Sequence, residues 1–323
     1  MRLLITGITG FVGGYLADYL LTQADYQLWG LTRGPGRLPP NLAGRVNELY
    51  ADLDDPAALR RALELAQPEL IFHLAGQPFV PESFRDPGAT LQTNLLGTLH
   101  IIQALIALQL KPRLLLVGSY EEYGNIAPHD LPISEACPLR PTNPYGVSKA
   151  AQSLLAMQYH MSHGLDALCV RPFTHIGPGQ SARFVTAAFA RQIARIEHGL
   201  QPPLVQVGNL SAQRDFTDVR DIVRAYALLA QHGNAGQVYN VGSGQAVTVQ
   251  SILDHFVAAS TTTVEVQPNP ELMRPIDMPL VLCDARRLRD ATGWVPNLPL
   301  SQTLNDILNY WRDRVLHEEA GST

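Results

Sequence analysis

Residues 1–23 read MRLLITGITGFVGGYLADYLLTQ, and the middle of this stretch decides the fold. Arg2 to Thr6 form a short apolar run closed by glycine, the pattern of a strand buried on both faces. Gly7, Gly10 and Gly13 then fall at three-residue intervals, and Phe11, Leu16, Tyr19 and Leu20 begin a helical apolar face. The spacing predicts strand, glycine turn and helix. Such a turn lets backbone approach a pyrophosphate with no β-carbon between them, while the first amides of the helix point at the negative charge. A glycine triad alone is a weak signal, because a flexible loop before a helix has the same composition; the flanking strand and helix give it weight.

Working outward, the next apolar run, YQLWGLTR, ends at Thr32 and Arg33. A NAD-preferring fold of this kind sets an acid there to grip ribose hydroxyls, whereas a guanidinium suits a ribose phosphate. NADP(H) is therefore preferred over NAD(H), which stays open, with Arg33 as phosphate clamp and Arg37 as helper; a solvated loop arginine is the plain alternative. In DLDDPAALRRALELA, Asp54 or Asp55 is the expected N-cap, with Pro56 in the first turn. ELIFHLAG reads as a strand, NLLGTLHIIQALIAL as one long helix, and RLLLVGS as a buried strand ending at Ser119. This alternation predicts an α/β protein with a Rossmann-type, doubly wound parallel sheet.

Composition removes other classes. The chain has 323 residues, 46% of them hydrophobic and 16% charged, with a formal charge of -5, so neither a basic nucleic-acid face nor a polybasic membrane arm is written in. Cys137, Cys169 and Cys283 lie far apart without CxxC spacing, which argues against a disulfide framework or zinc site. His160 and His163 lack the spacing and acidic neighbours of a zinc helix, and no metal is expected. No apolar run reaches the roughly 18 residues of a membrane span. A cytoplasmic enzyme with a small-molecule partner is the expectation.

The chemistry gathers after Ser119, since ligands in such sheets bind beyond the carboxyl ends of strands. A proline-rich polar loop leads to NPYGVSK, residues 143–149, where Tyr145 and Lys149 stand at i and i+4 on one helical face. The chain has only two lysines, Lys111 and Lys149, so this pairing is informative. A free phenol titrates near about 10, too high for easy proton transfer at neutral pH. A lysine charge, together with an oxidised nicotinamide, is expected to lower Tyr145 towards the working range.

TGITGFVG, HLAG, NLLGT, the serine of VGSYEEYG and YGVSK together resemble the extended short-chain dehydrogenase/reductase superfamily, the nucleotide-sugar epimerases, dehydratases and reductases, over nearly the whole chain. The resemblance implies Ser119, Tyr145 and Lys149 as a catalytic triad, with Tyr145 exchanging the proton and Ser119 donating to the substrate oxygen. It implies cofactor contacts at Gly7, Thr9, Gly10, Phe11, Val12, Asp52, Leu53, Leu74, Ala75 and Gly76, besides Arg33, Tyr145 and Lys149. Asn94 matches an asparagine with a structural role.

Further segments, THIGPGQSARFVTAAF, VGNLSAQRDFTDVRDIV and LMRPIDMP, resemble the GDP-sugar branch of the superfamily. That likeness implies NADPH-dependent reduction of the 4-keto group of GDP-4-keto-6-deoxy-D-mannose to a GDP-6-deoxyhexose such as GDP-D-rhamnose, with substrate contacts at Gln77, Thr174, Phe184, Val185, Asn209, Arg214 and Arg274. Arginine forks suit a diphosphate; ion pairs of Arg214 and Arg274 with Asp215, Asp218 or Asp277 are the plain alternative. Thr174 and Pro78 stand where relatives usually carry asparagine and serine. Glu121 is a further catalytic candidate, because dehydratases use a glutamate two positions after the catalytic serine or threonine. GPGQSARFVTAAF in place of the dehydratase RRGETFVTRK favours a reductase. A 4,6-dehydratase or 4-epimerase with retained cofactor stays open, as does, from another class, a non-catalytic NADP-binding sensor. The cofactor domain is expected at 1–170 plus about 214–242, and a smaller nucleotide-sugar lobe at 171–213 plus 243–323. Relatives commonly pair as homodimers through the helix before RLLLVGS and the helix of Tyr145, and a homodimer is expected here; HIIQALIALQL fits that seam and equally fits packing on its own sheet.

Overall fold

The computed structural model describes residues 1–35, 37–273 and 277–320. Arg274, an expected diphosphate contact, lies outside the described residues. Strand β1 (Arg2–Thr6) runs into the glycine turn and helix α1 (Phe11–Gln23); β2 (Gln27–Thr32), β3 (Asn47–Tyr50), α2 (Pro56–Ala66) and β4 (Leu70–His73) follow. Asp55 caps α2 by accepting from the Ala58 amide, with Pro56 at the first helical position, as expected. Short helices α3 (Val80–Arg85) and α4 (Pro87–Leu91) lead to a π-helical turn at Gln92–Leu96 and then α5 (Gly97–Ala107). The expected single helix through NLLGT is thus wider-wound over its first turn. The Asn94 side chain inside that turn is bonded to the backbone of Gln77, a site-facing use common for π turns.

Strand β5 (Arg113–Val117), helix α6 (Pro144–His163) and β6 (Ala167–Pro172) complete the first part of the chain. Beyond them come β7 (Thr174–Ile176), α7 (Val185–Glu197), β8 (Leu204–Val207), β9 (Gln213–Asp218), α8 (Val219–His232) and β10 (Val238–Val241). Seven strands form one sheet in the order β10-β6-β5-β4-β1-β2-β3, every pair parallel. The winding reverses between β1 and β4, and Thr6 is in register with His73 at their carboxyl ends. Ligands bind at such a reversal in an open parallel sheet. All residues of β4 and β6 are buried, as their continuous apolar runs require.

Contacts divide the chain into two compact units. The first comprises Met1–Phe173, Ile222–Val241 and Asp284–Trp294. It differs from the expected cofactor domain in two segments. Residues 214–221 fall in the other unit, because β9 pairs with β7 and with two short strands, β11 (Ala246–Thr248) and β13 (Leu280–Val281), not with the large sheet. Asp284–Trp294 joins the first unit: the Asp284 amide donates to the Ile133 carbonyl, and Arg224 lies over the buried Trp294 ring at 5.6 Å. The second unit adds α9 (Val249–Ala259), β12 (Glu265–Pro268) paired with β8, and α11 (Leu300–Ala320), around a core that includes Phe189, Ile193, Val205, Phe256, Leu308 and Trp311. The short helix α10 (Arg286–Thr292) lies in the first unit.

Candidate active site

The glycine turn has the shape its sequence implies. Gly7 has φ of +73°, and a β-carbon there would come within 2.8 Å of the Ala75 amide nitrogen. At Gly13 a β-carbon would stand 2.2 Å from the Gly7 carbonyl oxygen, so α1 packs directly on the turn. Gly10 begins α1 with no side-chain cap and no acid in the first turn. An uncapped helix start beside close-packed backbone fits the pyrophosphate of a dinucleotide. Thr9 and Gly10 are exposed, Phe11 and Val12 half-buried, and Leu74, Ala75 and Gly76 leave β4 beside them, the Leu74 amide donating to the Thr6 carbonyl. On the other side of the reversal, Arg33 is exposed directly after β2, and Asp52 turns its carboxylate onto the Asp54 amide. Leu53 is buried against Gly97.

Ser119 follows β5 and is almost wholly buried. Its hydroxyl accepts from the Glu121 amide at 3.2 Å, and it is the neighbour that works to lower the Tyr145 phenol. Asn143 caps α6 by accepting from the Gly146 amide, and Pro144 opens the helix, which fixes the exit angle of Tyr145. The Asn143 amide group also donates to Glu121 at 2.8 Å, tying that carboxylate to the cap. Burial raises the Tyr145 pKa above its ordinary value; Ser119 works against this, and the Glu121 and Glu122 carboxylates add to it. The expected lowering by lysine is therefore corrected. Lys149 is engaged elsewhere, donating to the Val117 carbonyl at 2.8 Å and to Gln152 Oε1 at 2.9 Å. Burial brings Lys149 down to about 8, with the Glu122 charge opposing, so the ammonium form prevails at neutral pH.

Residues expected to meet substrate are differently disposed. In the first unit, Gln77 is spent inside its own loop: its amide group donates to Thr90 Oγ1 at 3.0 Å and its carbonyl accepts from the Phe79 amide. In the second unit, Thr174 begins β7, while Phe184 and Val185 form the start of α7. Asn209 donates to Asp277 at 2.8 Å, and Arg214 is ion-paired with the same carboxylate while its other arm reaches the carbonyls of Gln213 and Met278. Of the three acids open to Arg214 from sequence, Asp277 is the partner. Asp221 lies in the first turn of α8 and accepts from the Asn297 and Leu298 amides, a structural role.

The profile of the GDP-mannose 4,6 dehydratase family matches residues 4–307. The chain belongs to that family. Among its relatives, the GDP-6-deoxy-D-mannose reductase of Pseudomonas aeruginosa is 40% identical over 98% of this chain and 99% of its own length. A solved structure of RMD from Pseudomonas aeruginosa complexed with NADPH superposes with a TM-score of 0.86 at 39% identity, covering 97% of this chain and all of that one. The UDP-glucose 4-epimerase of Thermus thermophilus, solved in complex with NAD, gives a TM-score of 0.86 at 27% identity over 97% of this chain and 99% of its own.

This member of the GDP-mannose 4,6 dehydratase family also holds residues that sequence reading passed over. Glu122 accepts from the Ser119 amide at 2.9 Å and forms a capping box with Ser119, while Arg171 binds its other oxygen at 2.7 Å from inside β6. The S-x-x-E spacing of Ser119 to Glu122 was its available signal. Gln152 and Thr98 join His73, the first residue of the HLAG motif that the resemblance sets along the cofactor, in a buried chain to Lys149; Gln152 and Thr98 are isolated polar letters that form no pattern in the sequence.

Proposed function

We propose that the protein reduces the 4-keto group of GDP-4-keto-6-deoxy-D-mannose with NADPH, giving a GDP-6-deoxyhexose such as GDP-D-rhamnose. The observation that carries this is the pairing of buried Ser119, just beyond the carboxyl end of β5, with buried Tyr145 in the first turn of α6, its phenol held protonated by burial. Carbonyl reduction needs a proton donor where the oxygen becomes an alkoxide, and a phenol raised by burial is a donor. Likeness to a GDP-6-deoxy-D-mannose reductase over almost the full length supports the substrate, and likeness to a structure holding NADPH supports the cofactor.

When bound, the reduced nicotinamide supplies the hydride. The glycine turn of Gly7, Gly10 and Gly13 would hold the dinucleotide's pyrophosphate, and Arg33 would take the ribose phosphate. Ser119 donates to the keto oxygen and polarises it, and Tyr145 delivers its proton as negative charge develops there. Glu121, fixed by Asn143, helps keep the phenol protonated until that moment. Lys149 keeps two N–H groups on protein carbonyls and uses the third for a cofactor ribose hydroxyl. Arg214 binds the substrate diphosphate by exchanging one anion, the Asp277 carboxylate, for another.

The protein works as a homodimer in the cytoplasm. Exposed Val147, Leu154 and Met161 on α6 support the dimer, free thiols at Cys137, Cys169 and Cys283 support a reducing compartment, and no helix among the described residues is long and apolar enough to cross a membrane.

Reduced-nicotinamide absorbance is the test. It falls when purified protein meets GDP-4-keto-6-deoxymannose and NADPH, and Tyr145→Phe slows the fall by about 10²-fold or more. No oxidation by the wild type with either NADPH or NADH sinks the reductase assignment.

A further inference from the structure

Lys149 is one of two lysines in the chain, and its side chain is buried. Its nitrogen stands 3.6 Å from where a β-carbon on Gly76 would lie, so it borders the exit of β4. A buried cation needs fixed acceptors, and those of Lys149 are the Val117 carbonyl and Gln152 Oε1. The Gln152 amide is itself held from behind. Its nitrogen donates to Thr98 Oγ1 at 2.7 Å, and the same oxygen lies 2.9 Å from His73 Nε2.

Hydrogen counting fixes the direction of every bond. Thr98 gives its one hydroxyl hydrogen to the Asn94 carbonyl at 2.8 Å, so its oxygen accepts from both Gln152 and His73. His73 therefore carries its proton on Nε2. Nδ1 accepts from Thr6 Oγ1 at 2.7 Å, and that oxygen in turn accepts from the Ala75 amide at 3.1 Å. Burial brings His73 down to about 3, with the Lys149 charge adding to the effect, so the ring stays neutral. With each donor matched, Gln152 cannot turn its amide over without facing Lys149 with N–H groups and Thr98 with a carbonyl that finds no hydrogen.

We propose that Gln152, locked in this orientation by Thr98 and His73, is a positioning residue that holds the Lys149 ammonium charged and in place beside Gly76. The inference rests on the assignment of Lys149 to the reduction. An amide does not relay protons under these conditions, so the chain anchors Lys149 and gives its proton no route to His73. Among the described residues, the charged and titratable groups that act on the ammonium or feel it are Glu122 from the turn after β5, Cys169 from β6 and His73 from β4, with Tyr145 one turn away on its own helix. Cys169, pushed up to about 12 by burial, and Tyr145 are neutral. Arg171 on β6 is paired to Glu122. Glu122 is thus the carboxylate that supports the ammonium charge, and Gln152 supplies the fixed dipole on another side.

The paired variants Gln152→Leu and Gln152→Glu test this by opposite displacements. Lysine labelled with carbon-13 gives two side-chain signals, and exposed Lys111 is the internal reference. The Lys149 titration midpoint, about 8 in the wild type, falls by about one pH unit in Gln152→Leu and rises by about as much in Gln152→Glu. The alkaline limb of kcat/KM for NADPH-dependent reduction follows both displacements. Should Gln152→Leu not fold, Thr98→Val takes its place with a fall in the midpoint, and Thr98→Ser restores it. A Lys149 midpoint that moves less than about 0.3 unit in both directions overturns the proposal. So does a midpoint that moves while the kinetic limb stays fixed. The lysine titration uses no substrate, so an inactive wild type with displaced midpoints would count against the reductase assignment alone.

Discussion

Burial and two carboxylates hold the proton on Tyr145 against the pull of Ser119, so at neutral pH the phenol is ready to give a proton and a poor acceptor of one. Replacing it by phenylalanine removes the donor while leaving the ring's packing. We expect Tyr145→Phe to lower kcat by about 10²–10⁴-fold with little change in NADPH affinity, read by steady-state absorbance and by fluorescence titration of NADPH. Arg33 works on the cofactor alone. It is exposed after β2, where a guanidinium meeting a ribose phosphate makes a charge-assisted contact worth about 1.5–3 kcal/mol. Arg33→Ser should therefore cut the NADPH-over-NADH preference in kcat/KM by about 10–100-fold without lowering activity with NADH. An unchanged ratio would remove Arg33 from the cofactor site.

At the scale of elements, α1 and β4 show what fixes the site. A β-carbon on Gly13 meets backbone at 2.2 and 2.7 Å, whereas one on Gly14 meets nothing within 4 Å. Gly13→Ala must push α1 off the turn, at a cost of about 1–3 kcal/mol or more, while Gly14→Ala gains about 0.5–1 kcal/mol of helix propensity; urea denaturation separates them. His73 gives β4 a pH dependence. Its folded value of about 3 lies below the ordinary 6.5. The stability it contributes is complete above the unfolded value and is lost as pH falls towards the folded one, up to about 5 kcal/mol between those limits. Denaturation at stepped pH should show this slope, and His73→Gln should flatten it. These elements also mark how far the sequence was legible. Strand, glycine turn and helix could be read because period and glycine spacing are local, and Tyr145 and Lys149 because one helical turn joins them. Of the neighbours that set their protons, Gln152 stands one helical turn from Lys149, but Glu122, Thr98 and His73 come from three other segments, and only the folded sheet brings them together. The same holds for Arg214, whose Asp277 partner is 63 residues away.

For the whole molecule, α6 carries two opposed faces. Tyr145, Lys149, Gln152, Ser153 and Ala156 are buried, while Val147, Leu154 and Met161 are 45%, 60% and 78% exposed at seven-residue spacing. On α5, Ile106 is 41% exposed. A heptad-spaced apolar stripe on an exposed helix face is the seam that pairs helices between chains. Covering Leu154 or Met161 removes apolar surface worth about 25 cal/mol per Å² from water in each partner. A buried glutamate at the same place has no charge partner in a two-fold interface, because it faces its own copy or apolar neighbours. Leu154→Glu should thus convert a dimer into a monomer in sedimentation velocity at micromolar concentration, with the fold intact by circular dichroism. Because the catalytic face lies on the other side of the helix, NADPH oxidation by the monomer should stay within about threefold of the wild type. A wild type that sediments as a monomer would remove the stripe from any role in pairing.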